Sequence, residues 1–344
     1  MNITMIDDSF SFDGSTPEVR ALGGAEKALI NLSRALSLRG HNVTVINRCE
    51  YQSSVDGVLW LPFNTPRPPK NDIIIAFRKP ELLSEFEDDT FRAIIWLWGD
   101  PNVLNQSANQ EILELYDPAI VFSTNNQRRS WISWRAFEEA TILPGVADSY
   151  IEITLPDKVP PPIAIITTHP LHGLKNILNL WRKLVYPKVK SAELHIYSAS
   201  MYNNRINIKL REIYKEVVVA RAKNVFIKQP NADKYMAEVY RQARVHLYPV
   251  IKTEYYGSTL AETQACGTPA VIYQGGANGI YAKERISDGQ TGYISPDDDA
   301  FANLVVQLLS EDSGMYRSLS REAKTLKASR SWQNAAIEFE ALWK

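Results

Sequence analysis

The stretch that decides the fold is Glu254-Tyr-Tyr-Gly-Ser-Thr-Leu-Ala-Glu262, inside HLYPVIKTEYYGSTLAETQACGTPAVI. An apolar run from Val245 to Tyr248 precedes it and reads as a buried strand. Ala270 to Tyr273 follows Gly267-Thr268-Pro269 and reads as a second. Between them lies a polar turn with Glu254 and Gly257, and a short helix opens near Ser258 or Thr259. A helix start carries about half a positive charge and points N–H groups outward, a seat for phosphate. Glu254 on the loop and Glu262 one turn into the helix can then form one side of a pocket. Thr259-x-x-Glu262 also fits a capping box, in which Glu262 reaches back to the cap N–H. The two roles are compatible.

Working outward, 344 residues suggest two domains, since single cores stop growing below that size. Hydrophobic content of 45% and charged content of 22% are those of an ordinary globular protein. With 38 basic and 39 acidic residues, the basic surplus of a nucleic-acid binder is missing. Cys49 and Cys266 lie far apart without metal-type spacing, which points to a reducing compartment. The N-terminus reads as a first strand rather than a signal peptide, and no stretch approaches the roughly 20 apolar residues of a membrane span. The expectation is a cytoplasmic protein, with room for a local basic patch facing the inner membrane.

In chain order, Asn2 to Ile6 reads as a strand ended by Asp7-Asp8. Gly23-Gly24 then leads into a helix over Ala25 to Arg39, stopped by a left-handed Gly40, and Asn42 to Ile46 is a β-branched strand. That order is a βαβ unit of a parallel sheet. The glycine pair is either a phosphate-binding turn or a flexible helix entry. Further strands are expected at 72–77, 93–97 and 119–123. Arg78 and Lys79 end one of them, to meet an anion or to be solvated. Asp100, after Ile-Ile-Trp-Leu-Trp-Gly99, stands beyond a strand end, either to bind or deprotonate an acceptor hydroxyl or to shape an Asp-Pro turn. The proline-rich 155–162 reads as a linker. After it an α/β pattern resumes: strands at 163–167, 194–197 and 225–227, a helix through Leu184 and another from Ala232 to Ala243. His169 and His172 lack a third metal ligand, and Asp297-Asp-Asp299 reads as a helix cap. The tail from Trp332 to Trp343 reads as an amphipathic helix.

The run E-Y-Y-G-S-T-L-A-E-T-Q-A-C-G-T-P-A-V resembles the E-x7-E segment of retaining glycosyltransferases of the large group 1 family, which includes sucrose synthase-like and mannosyltransferase-like enzymes. L-G-G-A-E-K-A-L-I-N-L-S-R-A-L-S-L-R-G-H-N-V-T-V-I resembles that family's first unit, and I-S-D-G-Q-T-G-Y-I-S-P-D-D-D its final strand and turn. The resemblance covers nearly the whole chain and implies an α/β, GT-B fold: two Rossmann-like, doubly wound parallel-sheet domains facing an interdomain cleft. Its domains would be 1–154 on the acceptor side, a linker at 155–162, a donor-binding domain at 163–330, and a helix at 331–344 crossing back onto the first.

The resemblance also implies roles. Glu254 would hold donor-sugar hydroxyls, and with Asp100, the candidate at the acceptor from its place beyond a strand end, it makes up the catalytic candidates. Gly23 and Gly24, across the cleft from the donor phosphates and near the acceptor, would complete the sugar and phosphate site that His172, Lys175, Tyr256, Gly257, Ser258 and Thr259 line. Glu262 would take the ribose and Gln229 the nucleotide, in a base-reading loop near 228–231. No cofactor and no metal are implied; the donor would be a nucleotide sugar, UDP- or GDP-linked, and the acceptor a carbohydrate or lipid-linked saccharide. Three positions depart from the family. Thr167 and His172 stand where relatives carry cations for the diphosphate, and Gly99 where many carry histidine. Lys175 or Lys252 could compensate. The departures motivate an alternative, a weak or inactive homologue that binds nucleotide or glycan. A nucleotide-sugar epimerase is a third reading, which the E-x7-E segment disfavours.

Overall fold

The computed structural model describes residues 1–86, 91–249, 254–273, 282–310, 314–326 and 330–343. The chain forms two compact units, Met1–Gly145 with Arg330–Lys344, and Val146–Ser329.

The first unit is built on β1 (Asn2–Ile6), β2 (Asn42–Asn47), β3 (Ser53–Val55), β4 (Val58–Pro62), β5 (Ile73–Phe77), β6 (Arg92–Trp96), β7 (Ala119–Phe122) and β8 (Glu139–Thr141). They lie in the order β3-β4-β2-β1-β5-β6-β7-β8. Only β3 is antiparallel to its neighbour. The central strands β5 and β7 are apolar and buried throughout because both faces are covered. Met5, Val45 and Ile75 pack toward the Gly24–Leu38 helix and the C-terminal helix; Ile6, Ile46, Ile74 and Ile95 pack on the other side. Gly40 ends the first helix at φ 89°. The Trp332–Glu340 helix buries Trp332, Ala335, Ala336 and Phe339. Its Phe339 ring stands 5.2 Å from that of Trp96, and Glu340 accepts from Arg39 and His41. The β3–β4 hairpin was not expected. It turns at Asp56-Gly57, both at positive φ, the Asp-Gly pair that tight hairpins favour.

The second unit has β9 (Ile163–Ile166), β10 (Glu193–Tyr197), β11 (Val225–Lys228), β12 (Val245–Pro249), β13 (Ala270–Tyr273) and β14 (Gly292–Ser295). All are parallel, in the order β11-β10-β9-β12-β13-β14. Ala164, Ile166, Leu194 and Ile196 form one core with the Leu174–Leu180, Arg211–Ala220 and Asp298–Leu309 helices. Tyr248 and Ile272 pack with Leu260 of the Ser258–Ala265 helix on the opposite face. The helix expected to run through Leu184 changes at Leu180 to a π turn over Trp181–Val185. Asp297 caps the next helix, accepting from the Ala300 N–H at 2.8 Å.

Residues 146–154, assigned to the first domain by sequence, pack within the second unit. Tyr150 explains it. Its ring is buried, stacks on Tyr240 at 5.7 Å and donates to Asp233 at 2.8 Å. The proline-rich 155–162 is also held there, with the Pro160 carbonyl accepting from Arg244 Nε at 2.9 Å.

Candidate active site

In an open parallel sheet, ligands gather beyond the carboxyl ends of the strands where the order reverses. In the second unit that point lies between β9 and β12. β12 leads to Glu254 and then to Gly257, which sits in the left-handed region at φ 68° and is the N-cap of the Ser258–Ala265 helix. The helix start has no side-chain cap and no acidic residue in its first turn. Glu262 lies beyond that turn, so the capping box does not form. It is instead buried beside Tyr150 and Tyr240, whose phenols are pushed far up by burial and then by the Glu262 carboxylate.

Glu254 is half-buried; desolvation raises its carboxyl, and the Tyr248 hydroxyl opposes the shift. That hydroxyl is fully buried and engages the Glu254 carboxylate, while the buried Thr168 hydroxyl after β9 finds no hydrogen-bond partner among the described residues. Unsatisfied buried hydroxyls are uncommon and mark where a polar ligand would complete the network. Beneath the turn, Arg285 Nε donates to the Tyr256 carbonyl at 3.3 Å and its guanidinium stands 4.0 Å from the Tyr256 ring centre. Glu254, Tyr256, Gly257, Ser258, Thr259 and Glu262 thus occupy one turn and helix. Tyr248, Thr168 and Arg285 were missed. The period-two alternation of β12, which sends His246 and Tyr248 to the same face, was the available signal for the first of them.

The departures have their own geometry. Thr167 Oγ1 lies 3.0 Å from His246 Nε2, and His246 Nδ1 lies 2.9 Å from Thr263 Oγ1 in the helix. Burial pushes the His246 imidazole down to about 3, so it is a neutral strut from β9 to the helix. His172 donates its N–H to the His169 carbonyl at 2.7 Å. Lys175 is exposed and lines a groove of about 500 Å³ with Asn176, Asn179, Arg182 and Ile213. Gln229 lines another, with Tyr197, Tyr235 and Gln242. Neither groove is lined by a residue of 254–262. The glycine-rich stretch 274–279, which the sequence suits to close backbone approach by a ligand, and Lys252 lie outside the described residues. Among the described residues no three His, Cys, Asp or Glu gather as a metal site.

The first unit's sheet reverses between β1 and β5, and there the chain fills the point itself. Arg78 donates to Asp7 Oδ1 at 2.5 Å and to Glu26 Oε1 at 3.2 Å, with both carboxylates buried. Arg78 holds φ 72°, a strained backbone for a side chain this large. Gly23 caps the Gly24–Leu38 helix, and a Cβ there would run into the Glu26 carboxylate folded back over it. Lys79 pairs with Asp8 at 2.7 Å. Neither cation is simply solvated. Asp100 is exposed beyond β6, accepting from the Asn102 N–H at 3.0 Å and its amide at 2.8 Å. A Cβ on Gly99 would meet nothing within 4 Å.

Comparisons with known proteins bear on this arrangement. Residues 163–311 match the family Glycosyl transferases group 1. The chain is similar in structure to sucrose-phosphate synthase from Thermosynechococcus elongatus, at TM-score 0.70 and 16% identity, covering 99% of this chain and 98% of that one. It is also similar to HepE from Anabaena in complex with UDP and glucose, at TM-score 0.72 and 14% identity over 98% of both. A third is WaaG, a glycosyltransferase involved in lipopolysaccharide biosynthesis, at 0.69 and 12% over 98% of this chain and 99% of that one. The fold is GT-B. No curated protein sequence matches the chain. The structural likenesses show the fold, and the family match over residues 163–311 supports a glycosyltransferase. Among the described residues no helix is long and apolar enough to cross a membrane.

Proposed function

We propose that this chain transfers a sugar, with retention of configuration, from a nucleotide-diphosphate donor to a hydroxyl on a carbohydrate or lipid-linked acceptor. The observation that carries the reading is the uncapped helix start at Gly257–Ser258, with Glu254 just ahead of it and the buried Tyr248 hydroxyl, which engages Glu254, beside Gly257. Breaking the anomeric C–O bond loads negative charge onto the leaving diphosphate. Backbone N–H groups and the dipole of a helix start stabilise such charge without a metal. Glu254 would hold hydroxyls of the donor sugar and Glu262 those of the ribose. Asp100 would serve the acceptor hydroxyl, with Gly23 and Gly24 on the acceptor side. The similarity to a structure holding UDP and glucose favours a UDP-sugar.

The test is a thermal-shift screen of UDP, GDP, ADP, TDP and CMP, since any ligand of the folded state raises the melting temperature. A shift with UDP that Glu262→Ala abolishes is expected, together with loss of turnover in a folded Glu254→Ala. A second reading, a homologue that binds nucleotide or glycan without transferring, is favoured by Thr167. Its hydroxyl is committed to His246 where relatives carry a cation. A UDP shift with no sugar released from any UDP-sugar would select it.

A further inference from the structure

On the second sheet, residues alternate between the packed face and the opposite one. Ile163 and Ile165 of β9, His195 and Tyr197 of β10 and Lys228 of β11 turn to that opposite face and line a groove of about 420 Å³. Val239 and Gln242 of the Asp233–Gln242 helix form one wall, with Tyr235 at its head. Tyr202 and the amides of Gln229 and Asn231 complete the lining. No residue of 254–262 takes part, so this groove is separate from the turn that holds Glu254.

Its chemistry is specific. Aliphatic side chains make the floor, phenol rings the sides, and three carboxamides the rim. Two of the rings are well exposed, Tyr202 at 51% and Tyr235 at 56%. No carboxylate lines it, and Lys228 is the single permanent cation among the lining residues. Even that ammonium lies over the Phe226 ring, 5.4 Å from its centre. His195 is held near Glu193, its Nε2 2.7 Å from the carboxylate, and burial pulls its imidazole down toward the neutral form. A diphosphate would meet too little positive charge here. The volume falls within the range of small-molecule sites, roughly 300–1,000 Å³, and exceeds what one base fills.

We propose that this groove is a second binding site of the chain, for an uncharged saccharide of two or three units. Aromatic faces take the C–H faces of sugar rings, carboxamides and phenols exchange hydrogen bonds with hydroxyls, and the absence of lining carboxylates leaves no need for a cationic ligand. Gln229 and the 228–231 stretch line this groove, so the proposal takes them from the base-reading role that the resemblance implied and leaves the donor reading to rest on the Glu254–Glu262 turn.

Isothermal titration of the full chain with maltotriose, mannotriose and chitotriose tests it, with UDP thermal shift as a parallel readout. At least one trisaccharide is expected to bind with a dissociation constant near millimolar. Tyr235→Ala and Tyr202→Ala, both changes at exposed rings, should each weaken that binding roughly tenfold or more while leaving the UDP shift unchanged. Silence with all three sugars, or binding that survives both substitutions, overturns the proposal. So does a loss of the UDP shift in Tyr235→Ala, which would make the groove part of the nucleotide site. Trisaccharide binding without any UDP response would sustain the groove and count against the transferase reading alone.

Discussion

The two sheets reverse their strand order in the same way, and the two reversal points differ in what fills them. In the first unit, Arg78 reaches from the end of β5 to Asp7 and Glu26, and Glu26 closes the glycine-led helix start behind it. In the second, Gly257 opens a helix whose first N–H groups take no side-chain cap, and the buried Tyr248 hydroxyl beside it engages Glu254 rather than the helix end. Glycine before a helix is common to both. What separates an open helix start from a closed structural joint is whether the chain's own carboxylate sits on it.

The largest effect that would break this contrast comes from Arg78→Met. It leaves two buried carboxylates unpaired, and removing one partner of a buried ion pair costs about 3–5 kcal/mol. Urea unfolding should show that loss while the UDP thermal shift persists. A loss under about 1 kcal/mol would mean the triad does not hold the first joint closed.

Next in size is the pH response of the second joint. The His246 pKa is lowered to about 3 in the fold, below its unfolded value of about 6.5. The unfolded chain therefore takes up a proton that the folded one refuses, and stability falls as pH drops through that window. The slope contributed is about 1.4 kcal/mol per pH unit between those limits. His246→Gln should flatten the curve by that amount below pH about 6. An unchanged slope would show that the imidazole charges in place.

Gly257→Ala is smaller for folding and decisive for binding. An alanine at φ 68° costs about 1–2 kcal/mol, and its Cβ would stand 3.2 Å from the Tyr248 hydroxyl. The protein should stay folded by circular dichroism yet lose most of its UDP shift. A full shift in the variant would move the phosphate seat elsewhere. Smallest of all, Gly99→His enters open space and should change stability by less than about 0.5 kcal/mol. Differential scanning calorimetry checks it; a larger drop would show that the end of β6 is packed more tightly than the Cβ geometry indicates.

Much of this was legible in the chain. β-branched runs with helical spacing between them located most strands, and Glu254 to Glu262 located the turn and the helix that carry the second joint. The difference between the joints was not legible. It depends on Arg78, fifty-two residues beyond Glu26, adopting a left-handed backbone that local sequence does not favour. Tyr150 likewise draws 146–154 into the second unit through contacts with Asp233 and Tyr240, more than eighty residues away. The β3–β4 hairpin is a different case. Its Asp56-Gly57 turn was written in the sequence and went unread because the alternation flanking it is short.

The helix Trp332–Glu340 gives the chain a temporal asymmetry. A ribosome releases Val146–Ser329 as one uninterrupted segment, all of whose partners have by then been made. Met1–Gly145 emerges earlier but must wait for residues 330–344 to cover Trp96. Of the two units, the one begun first is therefore completed second, with an aromatic sheet face exposed to water, or to a chaperone, until residues 330–344 have emerged.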